Sequence, residues 1–134
     1  MASEIPIVRH LVACLEVVAE PGPRDVTLRG LTHAIVRLPG EPFPCIREQM
    51  ALYAVLTNGR GEHELSVELT FLDQGAERSL RRSAPRRVDL GQDPTQVLGL
   101  PIGMKNVTFG QAGQYTFHLL CDGQSIGQEQ VEVR

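Results

Sequence analysis

The sequence predicts an all-β fold, an antiparallel β-sandwich of seven to nine short strands, from three observations. Apolar side chains occupy every second position of Leu65–Phe71, which is the period of a strand with one buried face. Gly110–Arg134 repeats that alternation around Asp122-Gly123, a dipeptide that favours hairpin turns because both positions of a type I′ turn need positive φ. Turn-forming residues separate the apolar segments about every 8–15 residues, a spacing typical of sandwiches and barrels.

Length and composition fit one domain. A chain of 134 residues can bury one core, so residues 1–134 are predicted to form a single sandwich domain. Hydrophobic residues make up 42% of the chain and charged residues 22%, which excludes disordered, collagen-like and membrane-spanning classes. The net charge of −3 gives no overall attraction to nucleic acid. Met1–Pro6 has neither the basic nor the apolar region of a signal peptide, so we expect a cytoplasmic protein.

The first third of the chain predicts strands joined by breaks. Ile7–Val18 fits the period of a helix as well as a strand, but its β-branched residues and the Pro21-Gly22-Pro23 turn behind it favour a strand. Asp25–Leu38 predicts a further pair of strands, with Gly30 at a bulge or a close backbone approach. Pro39–Pro44 holds three prolines and is expected to cross from one sheet to the other.

The middle of the chain predicts two core strands and an edge. Met50–Thr57 is the first core strand, followed by a glycine-rich turn at Asn58–Gly61. The residues that share its inward face are Leu52, Ala54 and Leu56. Asp73–Gly75 ends the second core strand. Glu77–Leu90 has few core residues and predicts an exposed edge strand broken by Pro85, because proline within a sheet is tolerated mainly at edges.

The last third predicts two short strands and a closing hairpin. Val97–Ile102 and Met104–Phe109 are predicted as separate strands, since two glycines and a proline interrupt this stretch. The inward row of the hairpin's first strand is Tyr115, Phe117, Leu119 and Cys121. His118 alternates with that row and is therefore expected on the solvent face of its strand.

Ala112–Phe117 resembles the tyrosine corner of immunoglobulin-like sandwiches. In such a corner, a tyrosine near the start of the penultimate strand, here Tyr115, bonds through its hydroxyl to the backbone just upstream. Phe117 stands where a true immunoglobulin domain has its second cysteine, and the chain has no tryptophan. The resemblance therefore implies an immunoglobulin-like architecture without membership of the immunoglobulin domains proper.

The whole of Ile7–Val133 is also similar to a family of small uncharacterised bacterial β-sandwich proteins. The resemblance rests on a proline-rich segment, here Pro39–Pro44, and on a following strand like Leu52–Val55. It also rests on Gly61-Glu62-His63 before a strand and on the closing strand and turn, Gly113–Gly123. These motifs are structural, so the resemblance implies a fold and a bacterial source and transfers no catalytic residue.

The residues predict no active site. The sequence lacks a nucleophile elbow, a P-loop, a zinc-protease helix motif and a dinucleotide-binding glycine motif. The histidines stand singly, without the close spacing of metal ligands: they are His10, His33, His63 and His118. Convergence of histidines with Cys14 or Cys121 in space stays an alternative. We predict a protein that is not an enzyme, with no catalytic residues, no metal site and no cofactor.

The three cysteines predict reduced thiols rather than a disulfide framework, because their number is odd and no CxxC spacing occurs. Cys121 belongs to the inward row of its strand and is expected in the core. Cys45 follows Pro44 in a predicted loop, which makes it the best candidate for an exposed thiol.

One charge feature stands out. Five arginines fall within ten residues of the predicted edge: Arg78, Arg81, Arg82, Arg86 and Arg87. Guanidinium groups suit phosphate or carboxylate, so the cluster is a candidate patch for an anion or an acidic partner. The competing interpretation is a solvated edge whose charges prevent sheet-to-sheet aggregation. No aromatic residue interleaves with the arginines, as stacking of single-stranded nucleic acid would require.

The sequence thus predicts a non-catalytic protein-interaction or scaffold module of the bacterial cytoplasm. Its expected partner is another protein, or a second copy that makes a homodimer, since small sandwiches can pair through exposed edges. The alternative is anion or nucleic-acid binding through the Arg78–Arg87 edge. A sandwich hosts too many functions for the fold alone to decide between them.

Overall fold

The computed structural model describes residues 3–22 and 25–134, so Met1, Ala2 and Pro23, which belong to the predicted start and the predicted first turn, lie outside the described residues. The described residues form eleven strands and no helix, which confirms the all-β class. Within them, no helix is present that could cross a membrane. The strands are β1 (Ile7–Cys14), β2 (Glu16–Ala19), β3 (Val26–Arg29), β4 (Ala34–Ile35), β5 (Cys45–Thr57), β6 (Glu62–Asp73), β7 (Ala76–Arg82), β8 (Arg86–Asp89), β9 (Leu98–Phe109), β10 (Gly113–Cys121) and β11 (Gln124–Val133).

The strands form two larger sheets and one small hairpin. One sheet has three strands in the order β1-β5-β9. The other has six, in the order β4-β11-β10-β6-β7, with β8 also pairing with β6. β2 and β3 pair only with each other. The pair β4 and β11 is parallel, so the second sheet is mixed rather than wholly antiparallel as predicted.

The two larger sheets share one buried cluster of apolar side chains. Every second residue of β6 from Leu65 to Phe71 is at most 6% exposed, which confirms the predicted inward row. The Tyr115 ring of β10 lies 4.9 Å from that of Phe71 and 4.9 Å, edge-on, from that of Phe109 in the opposite sheet. Also buried as predicted are Leu52, Ala54, Leu56, Phe117, Leu119 and Cys121. Alternating side chains from both sheets therefore meet in one core.

The closing hairpin is the one the sequence predicts. Cys121 pairs with Gln124 across a two-residue loop, and Asp122 and Gly123 have φ angles of 52° and 85°. Positive φ at both central residues is the requirement of the type I′ turn, which confirms the interpretation of the dipeptide. Such a turn matches the twist of its flanking strands and fixes the register of β10 against β11.

The first segment is a strand, as predicted, but it divides at Leu15 into β1 and β2. Gly30 follows β3 with a φ of 67°, and a Cβ there would lie 2.7 Å from the Leu15 side chain. Gly30 is therefore the close approach that the sequence predicts. Breaks of this kind divide the chain into short strands, and the described residues contain eleven strands. The predicted number of seven to nine strands was therefore too low.

Pro39–Pro44 connects the two sheets, since β4 belongs to the six-stranded sheet and β5 to the three-stranded one. This confirms the predicted crossing. β5 begins at Cys45, five residues before the predicted strand, and pairs Cys45 with Phe109 of β9. The prediction of an exposed Cys45 thiol is therefore wrong: the side chain is fully buried, and burial raises its pKa.

β9 is one strand of 12 residues where the sequence predicted two. Pro101 lies within it, opposite Tyr53 of β5. The Pro101 carbonyl accepts a hydrogen bond from Arg86, outside the sheet, so the backbone of Pro101 faces the unpaired side of β9. The N–H that proline lacks would point the same way, so its absence costs no hydrogen bond to β5. Proline and glycine interrupt a strand in the middle of a sheet, but at an edge the long partner β5 holds the strand together.

Candidate interaction surfaces

The arginine cluster is divided between two faces of one edge. β7 is the last strand of its sheet and is exposed throughout, as predicted for an edge. Arg78, Arg81 and Arg86 pair with β6 residues whose side chains enter the core, so they lie at the opening between the two sheets. Arg82 and Arg87 pair with β6 residues on the opposite, solvent-facing side. Alternation therefore separates the five side chains that the sequence groups together.

Two of these arginines bridge the sheets. Arg81 donates through Nη1 to the carbonyls of Lys105 and Asn106, at 2.9 and 3.2 Å. Arg86 donates to the carbonyl of Pro101 at 3.3 Å. All three carbonyls belong to β9, the edge strand of the opposite sheet. Arg81 and Arg86, here termed the arginine clasp, thus close one side of the molecule with guanidinium groups.

The other three arginines each lie beside a carboxylate. The pairs are Arg82–Glu68 at 3.4 Å, Arg87–Glu62 at 3.9 Å and Arg78–Asp73 at 4.0 Å. Exposed pairs of this kind contribute little to stability, but they neutralise the local positive charge. The cluster is consequently a set of bridges and paired charges, not one free basic patch.

A second group of polar residues joins the start of β6 to the closing turn. The Nδ1 atom of His63 lies 2.7 Å from Oδ2 of Asp122, and its Nε2 atom lies 2.8 Å from the carbonyl oxygen of Arg60. The second carboxylate oxygen of Asp122 accepts the N–H of Glu64 at 2.9 Å. Cys121 completes the group, with its ligand atom within 4.8 Å of those of His63 and Asp122.

Both ring nitrogens of His63 face oxygen acceptors, so the geometry favours the doubly protonated imidazolium. Burial by itself lowers the pKa of His63, but the Asp122 carboxylate and the Arg60 carbonyl overcome this and raise it. The Glu64 N–H, followed by His63, lowers the pKa of Asp122. Burial, with Asp122 beside it, raises the pKa of Cys121 to about 11.

His63 and Asp122 form an ion pair in which His63 is buried and Asp122 is about half exposed. Both ring nitrogens of His63 are hydrogen-bonded, and burial favours the protonated Cys121 thiol. The pair fastens the Asp122-Gly123 turn to β6. The sequence treated the histidines as single, because 59 residues separate His63 from Asp122, and left their convergence with Cys121 as the alternative, which His63 shows. A signal existed, since His63 and Asp122 both belong to the motifs that carry the family resemblance.

His118 differs in part from its prediction. It lies on the outer face of β10, opposite Glu68 and Gln128, and so is directed away from the core. It is nevertheless only 9% exposed. Its ring nitrogens lie 3.1 Å from Oε1 of Glu77 and 3.2 Å from Oγ of Ser125. Side chains of the neighbouring strands therefore cover it, which alternation along one strand does not reveal.

Tyr115 occupies the position of the predicted corner. Its hydroxyl donates to the Gln111 carbonyl at 2.7 Å and accepts the Gln111 N–H at 3.2 Å. The ring is 1% exposed and lies within the shared core. A single hydroxyl thus fixes the loop before β10 to the middle of the molecule.

An exposed apolar surface lies around the start of β5 and the ends of β1 and β4. Its side chains are 47–72% exposed, and they are Leu15, Leu31, Val36, Leu38 and Ile46. We term these five residues the apolar surface. Single exposed aliphatic residues are ordinary, so a group of five within one part of the fold is a candidate contact site.

Arg47 contacts several parts of the apolar surface. It lines a cavity of about 230 Å³ together with Leu15 and Leu31. Its Nη2 donates to the Val36 carbonyl at 3.4 Å. Glu41, which bonds Arg47 at 2.9 Å, accepts the N–H of Leu38 at 3.0 Å. The Arg47–Glu41 pair therefore joins a cavity lined by two of the exposed residues to the backbone of two others.

The polar centre of this surface is partly buried. The side chains of Arg47 and Glu41 are only 24% and 22% exposed, and the hydrogen bond from Arg47 lowers the pKa of Glu41. Next to them, the guanidinium of Arg37 stacks 3.9 Å above the Phe43 ring. Aliphatic residues around a held arginine, with an aromatic residue close by, are a composition typical of protein interfaces.

Nothing in the sequence singled out this surface. The apolar residues of Asp25–Leu38 predicted a pair of strands, with no indication of which side chains face solvent. In the structure β4 ends at Ile35, and the residues on both sides of it turn outward. The unusual exposure of aliphatic residues appears only once the strand boundaries are known.

Comparisons with known proteins give a family and a fold. A family model described as a family of unknown function, DUF6941, matches residues 14–134, most of the chain. No curated protein matches the sequence.

Among solved structures, the chain is similar to the alkylpurine DNA glycosylase AlkC of Pseudomonas fluorescens, determined bound to DNA containing an abasic site analog. The identity is 16% and the TM-score 0.53, over 96% of this chain and 30% of that one. At this identity the likeness shows a shared fold alone, and the present chain spans less than a third of the glycosylase chain.

Proposed function

The chain belongs to DUF6941, a family of unknown function, and we propose that it is a non-catalytic protein-interaction module of the bacterial cytoplasm that binds another protein through the apolar surface. We further propose that its two sheets make up a single immunoglobulin-like sandwich domain. The observation that carries the proposal is the group of five exposed aliphatic residues near the Arg47–Glu41 pair, two of which line a cavity with Arg47.

The immunoglobulin-like assignment draws support from Tyr115. Its two hydrogen bonds to the Gln111 backbone have the form of the tyrosine corner, a bond from the penultimate strand back to the loop before it. The two sheets around one core agree with the same architecture.

Energetics support binding at the apolar surface. Its five side chains are about half exposed or more, and covering what remains in water would supply on the order of 5 kcal/mol. The Arg47–Glu41 pair is already formed, so a partner need not order it on binding. A preorganised polar centre with an apolar surround is the arrangement of a binding hot spot.

The alternative proposal, anion or nucleic-acid binding through Arg78–Arg87, has weaker support. The arginine clasp uses Arg81 and Arg86 within the molecule, and the remaining arginines lie beside carboxylates. A protein that used this edge would be retained on heparin or DNA in a salt-dependent way. The variant with Arg81, Arg82, Arg86 and Arg87 changed to Ser would then lose that retention. A wild-type protein that neither matrix retains would remove this alternative.

The proposed function is tested by capture from the native host. Tagged wild-type protein is compared with a variant carrying Leu31→Ser and Leu38→Ser, two exposed changes that leave the core intact. The matched control carries Leu72→Ser and Leu80→Ser, which are 41% and 42% exposed at the arginine edge. We expect mass spectrometry to identify a protein that the wild type and the control retain and the Leu31/Leu38 variant loses.

The captured protein must also bind the purified wild-type chain directly. Equal capture by all three proteins, or no enrichment by any of them, would contradict the proposal. If the molecule lost by the Leu31/Leu38 variant were a second copy of the chain, the apolar surface would be a homodimer interface instead.

A further inference from the structure

One edge of the six-stranded sheet is mostly uncovered. β11 pairs with β10 along its whole length. Along its other edge it pairs only with β4, which has two residues and reaches Glu132 and Val133. β1 of the other sheet packs against β11 without pairing, with Val8 next to Gly127. Within residues 3–22 and 25–134, no strand pairs with the part of β11 before Glu132 on that side.

The outward backbone groups of this edge can be identified. The N–H of Glu132 donates to the His33 carbonyl at 3.2 Å, so Glu132 directs its backbone away from β10. Pairing with β10 is regular from Gly127 to Val133. Along an antiparallel strand, residues whose backbone N–H and C=O point toward the partner strand alternate with residues whose groups point away from it. Gln128 and Gln130 therefore present their N–H and C=O groups outward. No described residue bonds to these groups. We term Gln128–Gln130 the open edge.

The other sheet edges carry protection. The arginine clasp occupies carbonyls of β9, and β7 carries three arginines and one glutamate. β1 has a bulge at Arg9, and its Ala13 carbonyl accepts the N–H of Thr32. From Gly127 to Val133, β11 has no proline, no lysine or arginine and no bulge. Among the described strands it is the edge best able to accept another strand.

The open edge also has a distinctive charge. Glu129 lies between Gln128 and Gln130, opposite the buried Phe117. Burial raises its pKa, while the nearby His33 acts in the opposite direction. Among the described residues, no arginine or lysine forms an ion pair with Glu129. A lysine or arginine of a bound segment would therefore find a carboxylate that no described lysine or arginine pairs with.

We propose, building on the interaction function above, that the open edge takes up an extended segment of the partner protein as an added strand, with a lysine or arginine of that segment beside Glu129. Main-chain bonds to Gln128 and Gln130 would supply affinity, and Glu129 would supply specificity. The added strand would end next to β4, which Leu31 and Val36 of the apolar surface flank in the sequence. One partner could therefore reach both sites.

A second copy of the chain is a poorer occupant. Two β11 strands that pair antiparallel about this segment would bring the Glu129 carboxylates of the two copies together. Like charges directly opposite each other destabilise a strand pair. The charge of the edge therefore points to a basic segment of a different protein.

The test is selection from a phage-displayed library of random peptides about ten residues long, a length that covers one strand. The full chain is the bait, and the variants are Gln130→Pro, which removes one outward N–H, and Gln130→Ala, its matched control. Because that N–H makes no bond to β10, the proline variant is expected to fold. Circular dichroism and a melting curve check the fold of each variant.

We expect enriched peptides with alternating apolar residues and at least one lysine or arginine. Their affinity should fall at least tenfold for Gln130→Pro and stay within about twofold for Gln130→Ala. Glu129→Gln should remove the preference for basic peptides. In NMR spectra, bound peptide should protect the amide protons of Gln128 and Gln130 from exchange with solvent.

Selected peptides that bind Gln130→Pro as well as they bind the wild type, or no enrichment at all, would overturn the proposal. That failure is distinguishable from failure of the proposed function, since the Leu31/Leu38 capture experiment uses a different surface and a different readout. Loss of the host partner in the Leu31/Leu38 variant, with no peptide selected at the open edge, would leave the apolar surface as the sole binding site.

Discussion

His63 and Asp122 form a close polar contact between residues that lie far apart in the sequence. Their distance of 2.7 Å, with a second acceptor on the other ring nitrogen, favours a protonated histidine beside an ionised aspartate. The pair joins the start of β6 to the turn between β10 and β11. Removing either partner would leave a polar group without its bond in a site where His63 is only 3% exposed.

The stability that this pair contributes depends on pH. The raised pKa of His63 means that its contribution is full below about 6.5 and is lost as pH rises through the folded-state value. The lowered pKa of Asp122 means that its contribution is present above about 3.9 and is lost as pH falls through the folded-state value. The pair should therefore stabilise the fold most between about pH 4 and 6.5.

His63→Gln tests this prediction by urea denaturation at several pH values. At pH 6 the variant should lose about 1–3 kcal/mol of unfolding free energy relative to the wild type. The difference should shrink as the pH rises toward about 8. His10→Gln, at an exposed position of β1, is the control and should leave the pH profile unchanged. A His63→Gln profile parallel to that of the wild type would show that the histidine is not charged in the folded state.

Tyr115→Phe isolates one hydroxyl. The ring stays in the core, but both bonds to the Gln111 backbone are lost. The free energy of unfolding should fall by about 1 kcal/mol, and by up to about 3 if the Gln111 groups find no water. Chemical denaturation measures this directly, and an unchanged midpoint would mean that the corner bond adds nothing to stability.

The elements show where sequence reasoning works and where it stops. Alternation identified β6, β10 and the closing hairpin, because every second residue of these strands is apolar and packs in the shared core. It did not show that the other face of β10 is covered as well. β9 was divided wrongly, since Pro101 is tolerated only because its strand lies at an edge, and edge position depends on strand order. The bonds from the arginine clasp to β9 were invisible for the same reason.

The bonds of the arginine clasp to β9 can be tested by substitution. Arg81→Gln together with Arg86→Gln should lower the free energy of unfolding by about 1–2 kcal/mol, because bonds that join the two sheets are lost. Arg82→Gln together with Arg87→Gln removes the same charge from the solvent-facing side and should change stability by at most about 0.5 kcal/mol. Equal effects of the two double variants would contradict the bridging role and favour a purely electrostatic one.

At the scale of the whole molecule, the sequence predicted a shared core of alternating residues, and that core is present. Phe117 is fully buried within it. Phe117→Ala should cost about 3–5 kcal/mol, a large part of the stability of a typical domain. Thermal unfolding checks this, and an unchanged melting temperature would contradict the core assignment.

The candidate site was the part that the sequence could not supply. The apolar surface gathers Leu15, Leu31 and Ile46 from three separate segments, and each residue looks like a core position in its own stretch. Only their exposure to solvent in the folded chain distinguishes these residues from core residues. The five arginines, by contrast, were conspicuous in the sequence because they are adjacent, and the fold then divides them between two faces.

The proposed function requires that the partner protein cover the apolar surface. Hydrogen–deuterium exchange on the chain bound to the protein recovered by capture measures this coverage. We expect slower exchange in peptides that cover Leu31–Leu38 and Ile46, with unchanged exchange across β7 and β8. Slower exchange confined to β7 and β8, with Leu31–Leu38 unaffected, would contradict it.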